Sequence, residues 1–181
     1  MFADACERAM KYTRPVISST RTADGIVSSS CGTFVVVNRE GWIVTAGHIF
    51  DSYARFREDF RKASDAVRDG KEPDPGRITN HSFWWGGDGL SLGNVYVNRE
   101  IDIAFGKLNG FRPETVREYP EFKMPDNVRP GTSLCRIGFP FVGRNTEFDE
   151  GNGSFIIPPG MLPIPFFPND CIHTQIGRAH V

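Results

Sequence analysis

Short runs of apolar and β-branched residues, separated by turn-forming residues, recur along most of the chain. The runs "TFVVV" and "WIVTA" flank the turn "NREG", a pattern that predicts a β-hairpin whose second strand ends just before His48. Further strand-like runs are "HSFWW", "GNVYV", "IDIAFGKL" and "TSLCRIGF". Many short strands joined by hairpin turns indicate a mainly β protein.

One helix is predicted to interrupt these strands over residues 51–69. Aromatic residues recur there at helical spacing, at Tyr53, Phe56 and Phe60. Asp51 or Ser52 can cap the beginning of this helix, and Gly70 can end it. A second, shorter helix is predicted near the N-terminus, because apolar residues fall on one face there before Pro15.

The composition is that of an ordinary globular protein. The chain has 181 residues, of which 39% are hydrophobic and 24% charged, enough for one sizeable domain or two small ones. Its net charge of −1 gives no electrostatic basis for binding nucleic acid or an anionic membrane. No apolar stretch is long enough to span a membrane, and the N-terminus lacks the apolar core of a secretory signal. We therefore expect a cytoplasmic protein.

The cysteines give no motif. Cys6, Cys31, Cys135 and Cys171 are widely scattered and form no CxxC pair, which argues against a zinc finger or a dense disulfide framework. Cys171 and His173 together are too small a set for a metal site. We expect reduced, mostly buried thiols and no metal.

His48, in "TAGH", is the first residue that could carry chemistry. Histidine exchanges a proton near neutral pH, and the small neighbours Ala46 and Gly47 leave the imidazole ring accessible. The alternative is an ordinary histidine at a strand end that bonds to nearby backbone.

Asp102 is the second candidate. It stands between Ile101 and Ile103, and a carboxylate among apolar residues is unfavourable unless it is paired or hydrogen-bonded. A histidine N–H is a suitable partner, because the carboxylate then fixes the tautomer and stabilises the imidazolium. The alternative is an aspartate that begins a strand and caps its own turn, which the neighbours Arg99 and Glu100 make plausible.

Three segments in order, "GTFVVVNREGWIVTAGHIF", "IDIAFGKL" and "PGTSLCRIGFPF", resemble the trypsin-like (chymotrypsin-fold) serine peptidases of the bacterial type. The resemblance spans roughly Cys31 to Phe141. It implies a chymotrypsin-like double β-barrel, with the first barrel complete and the second only begun. It also implies that His48 is the general base and Asp102 its orienting carboxylate, with no metal or organic cofactor.

The resemblance divides the chain into three parts. Residues 1–125 would hold the N-terminal helix and the first barrel, and residues 126–175 the truncated start of the second. Residues 176–181, "IGRAHV", match the translation of a common sequencing-library adapter, so we expect a non-native tail there. A genuine tail of the same sequence is the alternative.

The motifs that can be recognised in this chain do not include the nucleophile of that family. Its serine lies in a Gly-Asp/Asn-Ser-Gly-Gly turn, which this chain lacks. Ser154 in "GNGS" is followed by Phe155 instead of two glycines, so we predict a hairpin turn there. Cys135 falls within a predicted strand, and Cys171 lacks the flexible turn that forms an oxyanion hole. Both are expected to be structural thiols.

The resemblance therefore implies a serine-type endopeptidase that acts on protein or peptide substrates through an acyl-enzyme. Without its nucleophile the chain would be an inactive fragment of that enzyme. The main alternative is a non-catalytic chymotrypsin-fold binding module, a pseudo-peptidase. A cysteine peptidase that uses Cys171 is a third hypothesis.

Overall fold

The computed structural model describes residues 2–124, 128–140 and 145–173. The expected tail at 176–181 and the expected domain boundary at 125/126 lie outside these residues. The elements, in chain order, are α1 (Phe2–Met10), β1 (Thr13–Thr22), β2 (Val27–Val36), β3 (Trp42–Ala46), a 3-10 turn (Gly47–Phe50), α2 (Asp51–Arg68), β4 (Ile78–Trp84), β5 (Ser91–Asn98), β6 (Ile103–Asn109), a second 3-10 turn (Pro113–Thr115), β7 (Ser133–Gly138), β8 (Glu147–Asp149), β9 (Ser154–Ile156) and β10 (Phe167–Ile172).

Six strands form one curled antiparallel sheet in the order β4-β1-β2-β3-β6-β5. The prediction of a mainly β protein is confirmed. The β2–β3 hairpin is also confirmed, and its turn is closed by Asn38, whose side-chain oxygen accepts the backbone N–H groups of Glu40 and Trp42. Gly41 ends this turn with φ +81°, a conformation that favours glycine.

The concave face of the sheet encloses the main hydrophobic core. Phe34 and Trp85 meet edge to face there, with ring centroids 5.5 Å apart. Fully burying each such side chain contributes on the order of 1.5–3 kcal/mol. The core residues are Val16, Phe34, Val36, Ile43, Phe50, Trp85, Ala104, Leu108 and Val116.

The helix α2 confirms the predicted helix over 51–69, but its capping differs from the prediction. The residue before the helix is Phe50, and no side chain caps its first turn. Asp51 instead forms an ion pair with Arg99, and Ser52 bonds to β1 and β4. Gly70 follows the helix with φ +71°, as a terminating glycine does. The start of α2 is therefore held by the sheet, not by a local cap.

In the second part of the chain, the described residues 128–140 and 145–173 form two small antiparallel pairs, β7–β10 and β8–β9. The predicted strand in "TSLCRIGF" is confirmed as β7. These pairs cover the outer face of β1, where Ile17 packs with Phe139, Met161 and Ile164 in a second core. Among the described helices, none combines the length and the apolar character needed to cross a membrane.

Candidate active site

The end of β3 places His48. Strand β3 ends at Ala46, and the chain then turns through the 3-10 segment Gly47–Phe50. Because Ala46 pairs with Ile103 of β6, the residue after β3 and the residue before β6 meet at the same edge of the sheet. The backbone N–H of Gly47 donates to the carbonyl of Asp102 at 3.0 Å, which ties the two loops together.

The turn between β5 and β6 places Asp102. Its backbone has φ +52°, a left-handed conformation that aspartate tolerates better than most residues. The side chain of Asn98 closes this turn by accepting the backbone N–H groups of Glu100 and Ile101. Asp102 therefore does not cap its own turn, and its carboxylate is available to another segment.

His48 and Asp102 make two hydrogen bonds with each other. The ring Nδ1 of His48 lies 2.8 Å from Oδ2 of Asp102, and the backbone N–H of His48 donates to Oδ1 at 2.7 Å. A neutral imidazole held this way carries its proton on Nδ1 and leaves Nε2 as an acceptor. Among the described residues, no side chain hydrogen-bonds Nε2.

Electrostatics keep Asp102 ionised. The Nδ1 bond from His48 lowers the pKa of the Asp102 carboxyl below its usual value, and the backbone N–H groups of His48 and Gly47 lower it further. The side chains of His48 and Asp102 are 62% and 54% exposed. Asp102 is therefore not in the apolar environment that its neighbours Ile101 and Ile103 suggest. Solvent screening also means that the pair orients a ring more than it stabilises the fold.

The small residue before His48 has a steric reason. A Cβ at Gly47 would lie 3.1 Å from Oδ1 of Asp102 and 3.3 Å from its backbone carbon. Gly47 is buried between the two loops, and hydrogen bonds from Gly47 and His48 hold Asp102 in place. The glycine of "TAGH" thus allows Asp102 to approach closely enough to bond the backbone nitrogen and the ring Nδ1 of His48.

A second ion pair joins the same two segments. Arg99, on the β5–β6 turn, pairs with Asp51 at the start of α2. In the Arg99–Asp51 pair the β5–β6 turn carries the basic group, whereas in the His48–Asp102 pair the same turn carries the acidic group. Together they fix the 3-10 turn against the β5–β6 turn, which limits the orientations open to His48.

The residues considered as nucleophiles lie elsewhere. Ser154 is the first residue of β9, directly after the turn from β8, so the predicted hairpin there is confirmed. Cys135 lies in β7, and Cys171 is exposed in β10 with its Sγ 3.5 Å from the carbonyl of Leu134. Within the described ranges no serine or cysteine hydrogen-bonds the His48 ring. The expectation that the cysteines are mostly buried is wrong, because Cys6 is buried, Cys31 and Cys135 are half-buried and Cys171 is exposed.

A second histidine, His81, forms a hydrogen-bonded cluster that the sequence patterns did not predict. His81 Nε2 lies 3.0 Å from the Ser52 hydroxyl and 3.3 Å from that of Ser18, and the two hydroxyls are 2.8 Å apart. Burial, which includes ring contacts with Tyr53 and Phe83, lowers the pKa of His81 to about 4. The neutral ring ties α2 to β1 and β4. The residues of this cluster are far apart in sequence and form no motif, so no local sequence pattern indicated them.

A large cleft lies between α2 and the strands β4 and β5. It has a volume of about 1300 Å³ and is lined by aromatic residues such as Tyr53, Phe83 and Trp85 and by Arg57 and Arg99. Among the described residues, no three His, Cys, Asp or Glu side chains form a group that could hold a metal ion.

No protein-family model matches the chain, and no curated protein matches it either. The assignment of the candidate site is therefore supported by its geometry alone.

Proposed function

We propose that the chain belongs to a trypsin-like serine endopeptidase in which His48 is the general base and Asp102 is the carboxylate that orients it. The observation that carries the proposal is the double hydrogen bond from His48 to Asp102, at 2.7 and 2.8 Å. This bond fixes the ring and leaves Nε2 free to accept a proton, as a general base requires.

The curled antiparallel sheet is compatible with the first barrel of a chymotrypsin-like fold. Its neighbouring strands β3 and β6 bring the histidine motif and the Asp-Ile-Ala motif to one edge. In this proposal residues 126–175 begin the second barrel, and the active-site cleft lies between the two barrels.

In the proposed reaction, His48 Nε2 takes the proton of a serine hydroxyl as the serine oxygen attacks a peptide carbonyl. Asp102 stabilises the imidazolium that forms, and the imidazolium then gives its proton to the leaving amine. His48 then takes a proton from a water molecule as the water oxygen attacks the acyl-enzyme, and it returns this proton to the serine that leaves. No serine of the described residues hydrogen-bonds His48, so this proposal takes the nucleophile from a segment outside them.

The test begins with the genomic sequence that encodes Thr174 to Val181 and the bases that follow. We expect the reading frame to continue into a Gly-Asn/Asp-Ser-Gly-Gly turn. The protein that this frame encodes should hydrolyse peptides and react with a fluorophosphonate probe at that serine. His48→Ala should abolish labelling, and Asp102→Asn should lower kcat by roughly 10³–10⁴. His173→Gln is the matched control and should leave both unchanged.

A genuine stop codon after Val181 would contradict the enzymatic proposal for this polypeptide. The non-catalytic binding module would then explain the chain better, because Nε2 of His48 has no nucleophile beside it among the described residues. Undiminished labelling in His48→Ala would also contradict the assigned role of His48.

A further inference from the structure

Two cysteines far apart in sequence meet between α1 and β7. The Sγ atoms of Cys6 and Cys135 are 3.1 Å apart, although the residues are separated by 129 positions. A disulfide has an S–S length of about 2.05 Å, so a movement of about 1 Å would bring these atoms to bonding distance. This contact is independent of the site at His48.

The two thiols are held where they meet. Cys6 is the buried residue of α1, and that helix packs against β7. In the reduced state one thiol donates a hydrogen bond to the other. Burial, with this hydrogen bond, raises the pKa of Cys135 to about 11, so its thiol is protonated at neutral pH.

Cys171 is the other thiol near β7, but the sheet register separates it from Cys135. In the β7–β10 pair, Cys171 lies opposite Leu134, whereas Cys135 lies opposite Asp170. Because successive side chains of a strand point to opposite faces, Cys135 and Cys171 lie on different faces of the pair. Cys6 is therefore the partner that the fold presents to Cys135.

We infer that Cys6 and Cys135 are a redox pair that forms a reversible disulfide and fixes α1 to β7. The oxidant is a low-molecular-weight disulfide such as oxidised glutathione. One thiol of the pair loses its proton, attacks a glutathione sulfur as the thiolate and releases one reduced glutathione. The other thiol then loses its proton, attacks the mixed disulfide, forms the Cys6–Cys135 bond and releases the second glutathione. Two electrons pass to the glutathione disulfide, and the two protons end on the released thiols.

This bond would enclose the whole six-stranded sheet in one covalent loop. A cross-link of that span restricts the unfolded chain more than the folded one, so it should raise the melting temperature. For a chain of this size we expect an increase of roughly 5–15 °C on oxidation.

The test uses the purified chain, incubated with oxidised glutathione or with a phosphine reductant, and then alkylated with N-ethylmaleimide. Cys6, Cys31, Cys135 and Cys171 fall in four different tryptic peptides, so mass spectrometry of the unreduced digest identifies any linkage. We expect one main cross-linked product, Cys6 with Cys135, that reduction abolishes.

Cys31→Ser and Cys171→Ser are the matched controls and should retain both this product and the increase in melting temperature. Cys135→Ser should lose both. Complete alkylation of Cys6 and Cys135 after oxidation would overturn the inference, as would a main product that links Cys171. Because the wild-type chain itself gives the decisive peptide, poor folding of a variant would not obscure the result.

Discussion

Asp102 binds His48 through both of its carboxylate oxygens, one to the ring Nδ1 and the other to the backbone N–H. The backbone bond positions the carboxylate independently of the ring, and the ring bond then fixes the imidazole. Both partners are more than half exposed, so the ring can meet a third group without a rearrangement of the core. The general base that we propose needs this accessibility.

The two hydrogen bonds between His48 and Asp102 predict how the Asp102 carboxyl titrates. Its pKa is lowered chiefly by the Nδ1 bond, and His48→Ala removes that bond but keeps the backbone N–H. We therefore expect the pKa of Asp102 to rise in His48→Ala, yet to remain below its usual value. Carbon-detected NMR titration of the aspartate carboxyls measures this directly. An unchanged Asp102 pKa in the variant would show that the ring does not bond the carboxylate in solution.

The same shift has a consequence for stability. A carboxyl with a lowered folded-state pKa contributes stability above its unfolded-state pKa and loses it as the pH falls through the folded-state value. The stability difference between the wild type and Asp102→Asn should therefore be largest near neutral pH and should shrink in acid. Urea unfolding at several pH values checks this, with Asp69→Asn as a control on an exposed residue. A difference that grows in acid would contradict the sign.

Gly47 should not tolerate a side chain. An added Cβ would lie 3.1 Å from Oδ1 and 3.3 Å from the backbone carbon of Asp102, and both loops are fixed by hydrogen bonds. We expect Gly47→Ala to lower the free energy of unfolding by about 1–3 kcal/mol and to weaken the His48–Asp102 bond. In Gly76→Ala the nearest atom would be Oδ1 of Asp74 at 3.4 Å, an ordinary contact. That control should change stability by less than about 0.5 kcal/mol, and equal effects at both positions would argue against the close approach.

Local patterns predicted the β2–β3 hairpin and α2, because alternation, turn residues and helical spacing are properties of neighbouring residues. They did not predict β1, whose residues include Ser18, Ser19 and Thr20. Ser18 and Ser19 are buried because their hydroxyls bond distant groups, such as His81 and Thr146. A polar strand of this kind becomes part of a core only through partners that the local sequence does not show.

The candidate site shows the same division. The residue types, together with the resemblance of the three segments, suggested that His48 and Asp102 pair, and the structure places them together. The exposure of Asp102 was not foreseen, since its apolar neighbours Ile101 and Ile103 indicate burial. The His81 cluster was missed because Ser18 and Ser52 lie 63 and 29 positions from it. Only the packing of α2 on β1 and β4 joins them.

His81 should make the protein less stable in acid. Its pKa is about 4 because burial disfavours the charged ring, whereas an unfolded histidine titrates near 6.5. Between these values the unfolded chain binds more protons than the folded chain, so stability falls as the pH is lowered from about 6.5 to about 4. Since the ring is only partly buried, we expect a loss of about 1–2 kcal/mol, less than the full shift would give.

Urea unfolding of the wild type and His81→Gln across this range measures the effect. The glutamine can still bond Ser52 but does not titrate, so its unfolding free energy should depend less on pH. His173→Gln keeps His81 and should follow the wild type. A wild-type His81 that titrates near 6.5 by NMR would contradict the burial of its ring.

The second core should contribute to the stability of the whole sheet. Phe139 is only 2% exposed, packs with Ile17 of β1, and donates its backbone N–H to the Thr33 hydroxyl. Its replacement by alanine leaves a cavity against the outer face of β1, so we expect a loss of about 3–5 kcal/mol. Phe122 is 77% exposed, and Phe122→Ala is the matched control, with an expected change below about 0.5 kcal/mol.

Tryptophan fluorescence distinguishes the outcomes of this last experiment, because Trp85 lies in the main core and Trp84 packs against the second. If both cores unfold as one unit, Phe139→Ala should shift a single urea transition to lower concentration. If residues 128–140 and 145–173 were only an appendage, the transition of the main core would stay at the wild-type urea concentration, and the outer face of β1 would be stable without its cover. The four consecutive buried residues Val16, Ile17, Ser18 and Ser19 favour the single transition, because a strand buried on both faces needs both layers.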